Sequence, residues 1–557
     1  MKRLFACALA LGAALSLPLQ AQRSERLLEK GWRFTREDQS QFSSPTFNDS
    51  KWSRVVVPHD WAIYGPFSFD NDKQHLAIAQ DGQKEAMEHA GRTGGLPFVG
   101  TGWYRRSLEI PSDLGDRRVF LRFDGAMSHA RVYVNGKEVG YWPYGYNTFA
   151  FDITAFVRPG EANTLAVRLE NKHESSRWYP GAGLYRNVHL TFTSPVYVPL
   201  WGTQIQTPTI EASRAYVDVR THIAGLSTLS GRPLQVKTKI LSPEGKVVAQ
   251  REEQIQSAGT EHLYHTGFDV ERPQLWDIDQ PHLYKYVIEL SDGGRLLDRD
   301  TTTFGIRSIE LKAGDGFYLN GRKLKFQGAC LHHDLGPLGA AVNEAAMRRQ
   351  IRTMQDMGVN AIRTSHNMPA PEFVRLCDEM GMPVMAESFD CWAQPKVPNG
   401  YNLDFNEWHE RDLTNLLHQF RNSPSVIMWS IGNEVPEQPS FDGAKLAYRL
   451  QEICHREDPT RPVTNGMDNP LGVLKSGMAT TLDIPGFNYR PFLYDSAHKV
   501  LPQGFLLGSE TCSTVSSRGV YKFPVVRKSM AKYPDHQSSG YDVEHCGWSN
   551  LPEDDFI

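Results

Sequence analysis

Two glutamates in this chain each follow a short apolar run. Glu434 comes after Val426-Ile-Met-Trp-Ser-Ile431, and Glu510 after Phe505-Leu-Leu-Gly508. Runs of this length bounded by turn residues read as buried strands. A pair of carboxyl groups on two strand ends can carry out one demanding reaction. One, protonated, gives its proton to a leaving oxygen, while the other, ionised, attacks the carbon being released. Hydrolysis of a glycosidic bond needs this pair, and enzymes that retain configuration hold the two groups about 5–5.5 Å apart. Further polar groups fall at comparable positions: His332, His366, Glu387, Asn433 and Tyr489. Polar residues ending strand after strand in this way are hard to explain by packing.

Such a register needs a scaffold that delivers every strand end to one place. From Gly305 onward short apolar strands alternate with amphipathic helices. Lys325-Phe-Gln-Gly-Ala-Cys330 reads as the first strand, and the helix after Asn343 puts Met347, Ile351 and Met354 on one face. Asn360-Ala-Ile-Arg-Thr364 is the second strand, and Pro371 opens a helix that Gly381 closes. Pro383-Val-Met-Ala-Glu387 is the third strand, followed by a helix carrying Trp408, Leu416 and Phe420. The runs at Val426, Pro462, Ile484 and Phe505 give the fourth to seventh strands. Repeats of this kind predict a parallel (β/α)8 TIM barrel over residues 309–557, whose C-terminal strand ends carry the chemistry. No apolar run after Glu510 reads as an eighth strand. The barrel is therefore expected to be incomplete at its C-terminus, as in a shortened copy of a longer enzyme.

Upstream of the barrel the rhythm is that of β-structure. Over residues 22–195, Arg118-Val-Phe-Leu-Arg-Phe123, Ala130-Arg-Val-Tyr-Val134, Leu165-Ala-Val-Arg-Leu169 and Val188-His-Leu-Thr-Phe192 alternate apolar and polar residues, and Asn135-Gly136 supplies a hairpin turn. The length favours a jelly-roll β-sandwich. Residues 196–308 carry further alternating strands at Ala215, Leu234 and Tyr284 and predict an immunoglobulin-like β-sandwich. Residues 1–21 have a charged start at Lys2 and Arg3, an apolar stretch from Leu4 to Leu17, and a small-residue exit at Leu19-Gln-Ala21. That is a signal peptide, so the mature protein is expected to be exported, to the periplasm or the medium.

The bulk composition excludes some classes. A net charge of −4 leaves no basic footprint for nucleic acid and no polybasic membrane patch. The 12 Trp and 21 Tyr suit a carbohydrate partner, whose ring faces stack on aromatic planes, and equally suit sandwich cores. Beyond Cys7 in the leader, the six cysteines Cys330, Cys377, Cys391, Cys454, Cys512 and Cys546 show no CxxC spacing. They read as single buried thiols, with one disulfide left open by export, and a homo-oligomer is likewise left open.

At this point a family resemblance can be drawn. Asn422-Ser-Pro-Ser-Val-Ile-Met-Trp-Ser-Ile-Gly-Asn-Glu434 resembles the acid/base signature of glycoside hydrolase family 2. Gly358-Val-Asn-Ala-Ile-Arg-Thr-Ser-His366 and Leu376-Cys-Asp-Glu-Met-Gly-Met-Pro-Val384 resemble its second and third barrel strands. Val57-Pro-His-Asp-Trp61 and Gly102-Trp-Tyr-Arg-Arg106 resemble its sugar-binding domain. The resemblance implies that Glu434 is the acid/base and Glu510 the nucleophile, and that Asn433 bonds the sugar 2-hydroxyl. It further implies that Tyr489 donates to Glu510, that Arg363 lies beneath Glu510 and lowers its pKa, and that His332 and His366 contact sugar hydroxyls. Ser176-Arg-Trp-Tyr-Pro-Gly-Ala-Gly183 resembles a loop of the family's β-galactosidases that reaches the barrel mouth, where Arg177 would meet the sugar. The stretch Glu387-Ser-Phe-Asp-Cys-Trp392 matches poorly the region where some relatives hold a metal, so neither a metal nor another cofactor is expected.

The resemblance thus implies a retaining hydrolase of β-glycosides, with β-galactosides foremost. The alternatives are the same fold acting on another sugar, as in a β-glucuronidase or β-mannosidase, and a carbohydrate-binding homologue without catalysis. Against a glucuronidase, no Asn-x-Lys stretch follows Glu510.

Overall fold

The computed structural model describes residues 23–68, 71, 77–78, 87–88 and 98–511. The signal peptide read in residues 1–21, the expected break in the barrel after Glu510, and Cys512 and Cys546 therefore lie outside the described residues, Thr511 excepted.

The first unit is a β-sandwich of two antiparallel sheets. One places Ser24–Leu27, Val188–Thr193, Arg118–Phe123 and Phe149–Asp152 side by side. The other runs Ser53–Val55, Trp32–Thr35, Gly100–Glu109, Ala162–Asn171, Ala130–Val134 and Lys137–Trp142. Period-two patterning puts Val119, Leu121 and Phe123 inside and leaves the alternate residues half exposed. Asn135 and Gly136 both take positive φ, 52° and 80°, which the tight turn between their flanking strands requires.

The second unit has sheets of three and four strands, seven in all. The sequence pattern identified Arg214–Ala224, Leu234–Leu241 and Tyr284–Asp292. It missed Thr203–Ile210, Val247–Ile255, Glu261–Glu271 and Arg295–Phe304. Val247–Ile255 shows why: it is an edge strand, mostly exposed and rich in charge, so nothing apolar marks it.

The third unit begins with a small antiparallel sheet built on Ile309–Lys312 and Gly316–Leu319. Phe317 and Leu319 from it, with Trp276 from the second sandwich, pack against Ile427, Met428 and Ile484 of the barrel strands. The barrel follows. Its parallel strands are β1 (Gly328–Leu331), β2 (Ala361–Thr364), β3 (Val384–Glu387), β4 (Val426–Asn433), β5 (Val463–Met467), β6 (Ile484–Asn488) and β7 (Leu507–Glu510), paired in that order. Helix α1 (Glu344–Asp356) follows β1, α2 (Pro371–Met380) follows β2, α3 (Asn402–Phe420) follows β3, and α4 (Phe441–Glu457) follows β4. Asn343 caps α1 by accepting from the Ala346 N–H at 3.1 Å, and the helix buries Met347 and Ile351. Each such aliphatic side chain stabilises by roughly 1.5–3 kcal/mol. Gly381 closes α2 in the left-handed region, as its position predicts.

The strand ends differ from the sequence reading in detail. β1 starts at Gly328 rather than Lys325, and β4 and β7 run on to include Asn433 and Glu510. Both extensions are polar, which is why apolar patterning stops short of them.

The first sandwich is tied to the barrel by buried polar contacts. Arg186, buried, donates from Nη2 to the Met368 carbonyl at 2.8 Å and from Nη1 to the Tyr146 carbonyl at 2.8 Å. Trp142 Nε1 and Asn147 Nδ2 donate to Asp412 Oδ1 of α3 at 2.9 and 2.6 Å, and the Tyr401 hydroxyl donates to the other oxygen. Asp60 accepts from the Ala340 N–H of the barrel at 2.9 Å. Among the described residues no helix is long and apolar enough to cross a membrane.

Candidate functional site

The polar strand ends converge at the C-terminal mouth of the barrel, and a hydrogen-bonded network joins most of them. Its hub is Arg363 on β2, almost wholly buried. Nε donates to Glu387 Oε2 at 2.9 Å, Nη1 to Glu510 Oε2 at 3.0 Å, and Nη2 to Asn433 Oδ1 at 2.8 Å. One planar guanidinium thereby ties β2 to β3, β4 and β7. There is room for it because β5 contributes Gly466. A Cβ there would come within 2.7 Å of Arg363 Nη2 and 3.1 Å of both Asn433 Oδ1 and Asn488 Oδ1.

Glu510 also accepts at Oε1 from the Tyr489 hydroxyl, and its own carbonyl accepts from the Tyr489 N–H at 2.6 Å. Burial raises the Glu510 pKa, but the Arg363 charge and the bonds from Tyr489 and Arg363 outweigh it and hold the carboxyl below its ordinary value. Glu434 is pushed the other way. Burial keeps its pKa above the ordinary value despite the Lys396 charge and a hydrogen bond from Asn488. Two carboxyls at one mouth thus have their titrations driven apart, the arrangement that separates an acid from a nucleophile.

The backbone is shaped to aim these groups. Glu434, Tyr489 and Arg490 have φ of 44°, 58° and 53°, left-handed values that side chains other than glycine seldom adopt and that store strain. The Glu434 N–H is held by the Gly466 carbonyl at 2.6 Å.

His366 donates from Nδ1 to Glu387 Oε1 at 2.7 Å. Burial keeps the imidazole far below its usual pKa and therefore neutral, which leaves Nε2 as a hydrogen-bond acceptor. His332, just past β1, lies with its ring on Trp178 at 5.2 Å between centroids and edge-on to His366 at 5.6 Å. Arg177 reaches the mouth from the first sandwich, and its Nε and Nη2 bond the carboxylate of Asp390 at 2.9 and 2.6 Å. Lys396 Nζ joins Asp390 at 3.0 Å and the Asn433 carbonyl at 2.7 Å. Asn433 Nδ2 donates to Asp390 Oδ1 at 3.1 Å.

The structure therefore brings Glu434, Glu510, Asn433, Arg363, Tyr489 and His366 into one network, with Arg177 joined through Asp390 and His332 through ring contacts. Three members escaped sequence reasoning. Asp390 lies in the stretch Glu387–Trp392, compared only with a metal site, and Lys396 follows just beyond it. Asn488, the last residue of β6, stands beside the more conspicuous Tyr489. The signal for Asn488 was present, since a polar residue ending an apolar strand is what singled out the others. The carboxylates of Glu387 and Asp390 both face cations, and among the described residues no cluster of three or more His, Cys, Asp or Glu is arranged to hold a metal. Cys377, Cys391 and Cys454 are buried free thiols as expected, whereas the free thiol Cys330 is exposed, on β1, an edge strand of the sheet among the described residues.

Comparison with known proteins sets this site in a lineage. The family descriptions "Glycosyl hydrolases family 2, sugar binding domain", "Glycosyl hydrolases family 2" and "Glycosyl hydrolases family 2, TIM barrel domain" match residues 26–195, 198–307 and 309–496 in turn. The chain belongs to glycosyl hydrolase family 2. Among its relatives in the family is the β-galactosidase BoGH2A of Bacteroides ovatus, 36% identical over 98% of this chain and 67% of its own length. A β-glucuronidase of Bacteroides fragilis is 29% identical over 83% of this chain and 64% of its length. A solved structure of a glycosyl hydrolase family 2 member from Bacteroides cellulosilyticus superposes with a TM-score of 0.82 at 33% identity, covering 88% of this chain and 61% of that one. The chain thus spans about two thirds of the length of these family 2 proteins.

Proposed function

We propose that this chain is a retaining β-glycosidase acting on neutral hexosides, β-galactosides above all, with Glu510 as nucleophile and Glu434 as acid/base. The observation that carries the reading is the placement of one nitrogen. Asn488 Nδ2 lies 2.9 Å from Glu434 Oε1 and 3.1 Å from Glu510 Oε2, so those oxygens are no farther apart than the sum of the two, 6.0 Å. An oxygen pair within that limit fits retention, for which the carboxyl groups sit about 5–5.5 Å apart, better than inversion, for which they stand about 6.5–9.5 Å apart with a water between them.

In this mechanism Glu434, whose protonated form burial favours, gives its proton to the leaving oxygen. Glu510, kept ionised by Arg363 and Tyr489, attacks the anomeric carbon. Glu434 then takes a proton from water, which attacks the same carbon and frees Glu510. Asn433 reads the sugar 2-hydroxyl, and His366 Nε2 accepts from another hydroxyl. For the sugar, the likeness to BoGH2A supports a galactoside. Arg177 and Lys396 share Asp390, and Arg363 is paired with Glu387 and Glu510, so each of these three cations already faces a carboxylate and none is left to meet a uronate.

The β-glucuronidase relatives favour the second reading, and one experiment decides between them. Aryl β-galactoside, β-glucoside, β-mannoside and β-glucuronide are offered in parallel, and proton NMR follows the first-formed anomer of the best substrate. The expected result is preferred cleavage of the galactoside with the β-anomer released first. An α-anomer appearing first overturns the mechanism, preference for the glucuronide overturns the sugar, and binding without turnover overturns catalysis.

A further inference from the structure

Asn488 is completely buried at the end of β6, and the orientation of its amide is fixed. Oδ1 accepts from the Ser509 hydroxyl at 2.8 Å. The reversed amide would set a carbonyl oxygen against the Glu510 carboxylate and the Asn433 amide oxygen. Nδ2 therefore faces the acids, and it has three acceptors in range: Glu434 Oε1 at 2.9 Å, Glu510 Oε2 at 3.1 Å and Asn433 Oδ1 at 3.1 Å. A primary amide has two hydrogens, so the three cannot all be served at once. Asn433 Oδ1 and Glu510 Oε2 each have a second donor in Arg363.

We propose that Asn488 is a positioning residue whose amide hydrogen follows the negative charge between the two carboxyl groups during turnover. The inference rests on the retaining reading above. In the free protein Glu510 carries the charge and Glu434 the proton, and the hydrogen serves Glu510. When the bond from Glu510 to the anomeric carbon forms and the bond to the leaving oxygen breaks, the Glu434 proton departs with that oxygen. Glu510 is then a neutral ester and Glu434 a carboxylate, and a hydrogen turns to Glu434 Oε1 with only a small movement. When Glu434 takes the proton of the attacking water and the electron pair returns to Glu510, the hydrogen swings back. A donor 2.9–3.1 Å from both groups can serve each in its charged form, whereas Arg363 is bonded to Glu510 on its own side of the site. The charged and titratable groups facing the pair include Arg363 and Glu387 from β2 and β3, His366, His332 and Cys330 from β1 and its end, Asp390, Lys396, Arg177, Asp468 and Tyr489. All of them remain when Asn488 is changed.

The test compares the parent chain with Asn488→Ala and Ser509→Ala, using the aryl β-glycoside cleaved best and its dinitrophenyl analogue, for which release of the ester limits kcat. In Asn488→Ala both carboxylates lose a donor to their charged form, so both limbs of the pH profile of kcat/KM should move to higher pH. The kcat on the dinitrophenyl substrate should fall by 10- to 100-fold. Ser509→Ala frees the amide to turn and should move both limbs in the same direction by less, which keeps the test available if Asn488→Ala does not fold. Limbs that stay in place, or a shift of one limb alone, overturn the shared role. Release of the α-anomer by the parent chain would instead overturn the retaining reading, so the two failures are distinct.

Discussion

The guanidinium of Arg177, on the first sandwich, clasps the carboxylate of Asp390, at the barrel mouth, through Nε at 2.9 Å and Nη2 at 2.6 Å. Asp390 in turn accepts from Asn433 Nδ2, next in sequence to Glu434, so the sandwich helps set how the Asn433 amide points. Arg177→Lys keeps the charge but loses the two-pronged grip. It should lower kcat/KM by about 10-fold, and Arg177→Ala by about 100-fold, or roughly 1.4 and 2.8 kcal/mol of transition-state stabilisation. Steady-state kinetics beside thermal unfolding checks this: a drop in Tm with unchanged kcat/KM would make the pair a purely structural tie.

Gly466 has no side chain where Arg363, Asn433 and Asn488 crowd together. Gly466→Ala would press its Cβ to 2.7 Å from Arg363 Nη2 and displace the guanidinium from beneath Glu510. Displacements near 1 Å at a reacting centre cost on the order of 100-fold in rate. The variant should fold and lose at least that much kcat. Parent-like kcat would mean that the network shifts without consequence.

The assignment of roles has its own signature. Glu434→Ala should still form the glycosyl ester from substrates with activated leaving groups and then stall, and azide should rescue it as a β-glycosyl azide. Glu510→Gln should be inert with the same substrates, and azide should not restore it by replacing a base on the acid/base side. An α-azide from the Glu434 variant together with a β-azide from the Glu510 variant would exchange the two roles. Product anomers read by NMR give the answer.

Stability should carry a pH signature from the domain interface. Asp412 is wholly buried between α3 and the first sandwich, and burial pushes its pKa up to about 7. Its value in the unfolded chain is about 3.9, so the folded state binds the proton more tightly. The stabilisation is therefore complete below about pH 4 and is lost as pH rises through about 7, a swing of about 4 kcal/mol. Asp412→Asn cannot titrate, and its unfolding free energy should be flatter than the parent's between pH 4.5 and 7.5. Denaturant unfolding at the two pH values measures this; an equal slope in both proteins would place the titration elsewhere.

The barrel was legible in the sequence because its middle strands, β3 to β6, are largely buried on both faces and because short apolar runs alternate with amphipathic helices, whereas β1 and β7 are more exposed. The jelly roll showed itself through period-two strands such as Arg118–Phe123. What stayed hidden was polar by necessity. Val247–Ile255 is an edge strand covered in charge, and Asn433 and Glu510 are strand residues that an apolar count leaves out. Asp390 and Lys396 stand in a segment without periodicity, and only the fold shows that Asp390 meets Arg177 from more than 200 residues away with Lys396 on the same carboxylate. Asn488 ends an apolar strand as the other site residues do, but Tyr489 beside it drew the reading, and its distances to two groups on other strands are visible only in the fold.

The contact of Arg177 with Asp390 also bears on how such a molecule can change its diet. The wall of the mouth nearest Asn433 is furnished by a loop of a different domain, half-buried at Arg177 and separate from the barrel's own strands. Substitutions in residues 172–177, between the strand Ala162–Asn171 and buried Trp178, would retune which sugars enter while every strand-borne group keeps its place. A chimera carrying the first sandwich of a relative would exchange that wall together with the Arg186, Asn147 and Asp60 anchors, so its barrel would change in appetite and in fit at the same stroke.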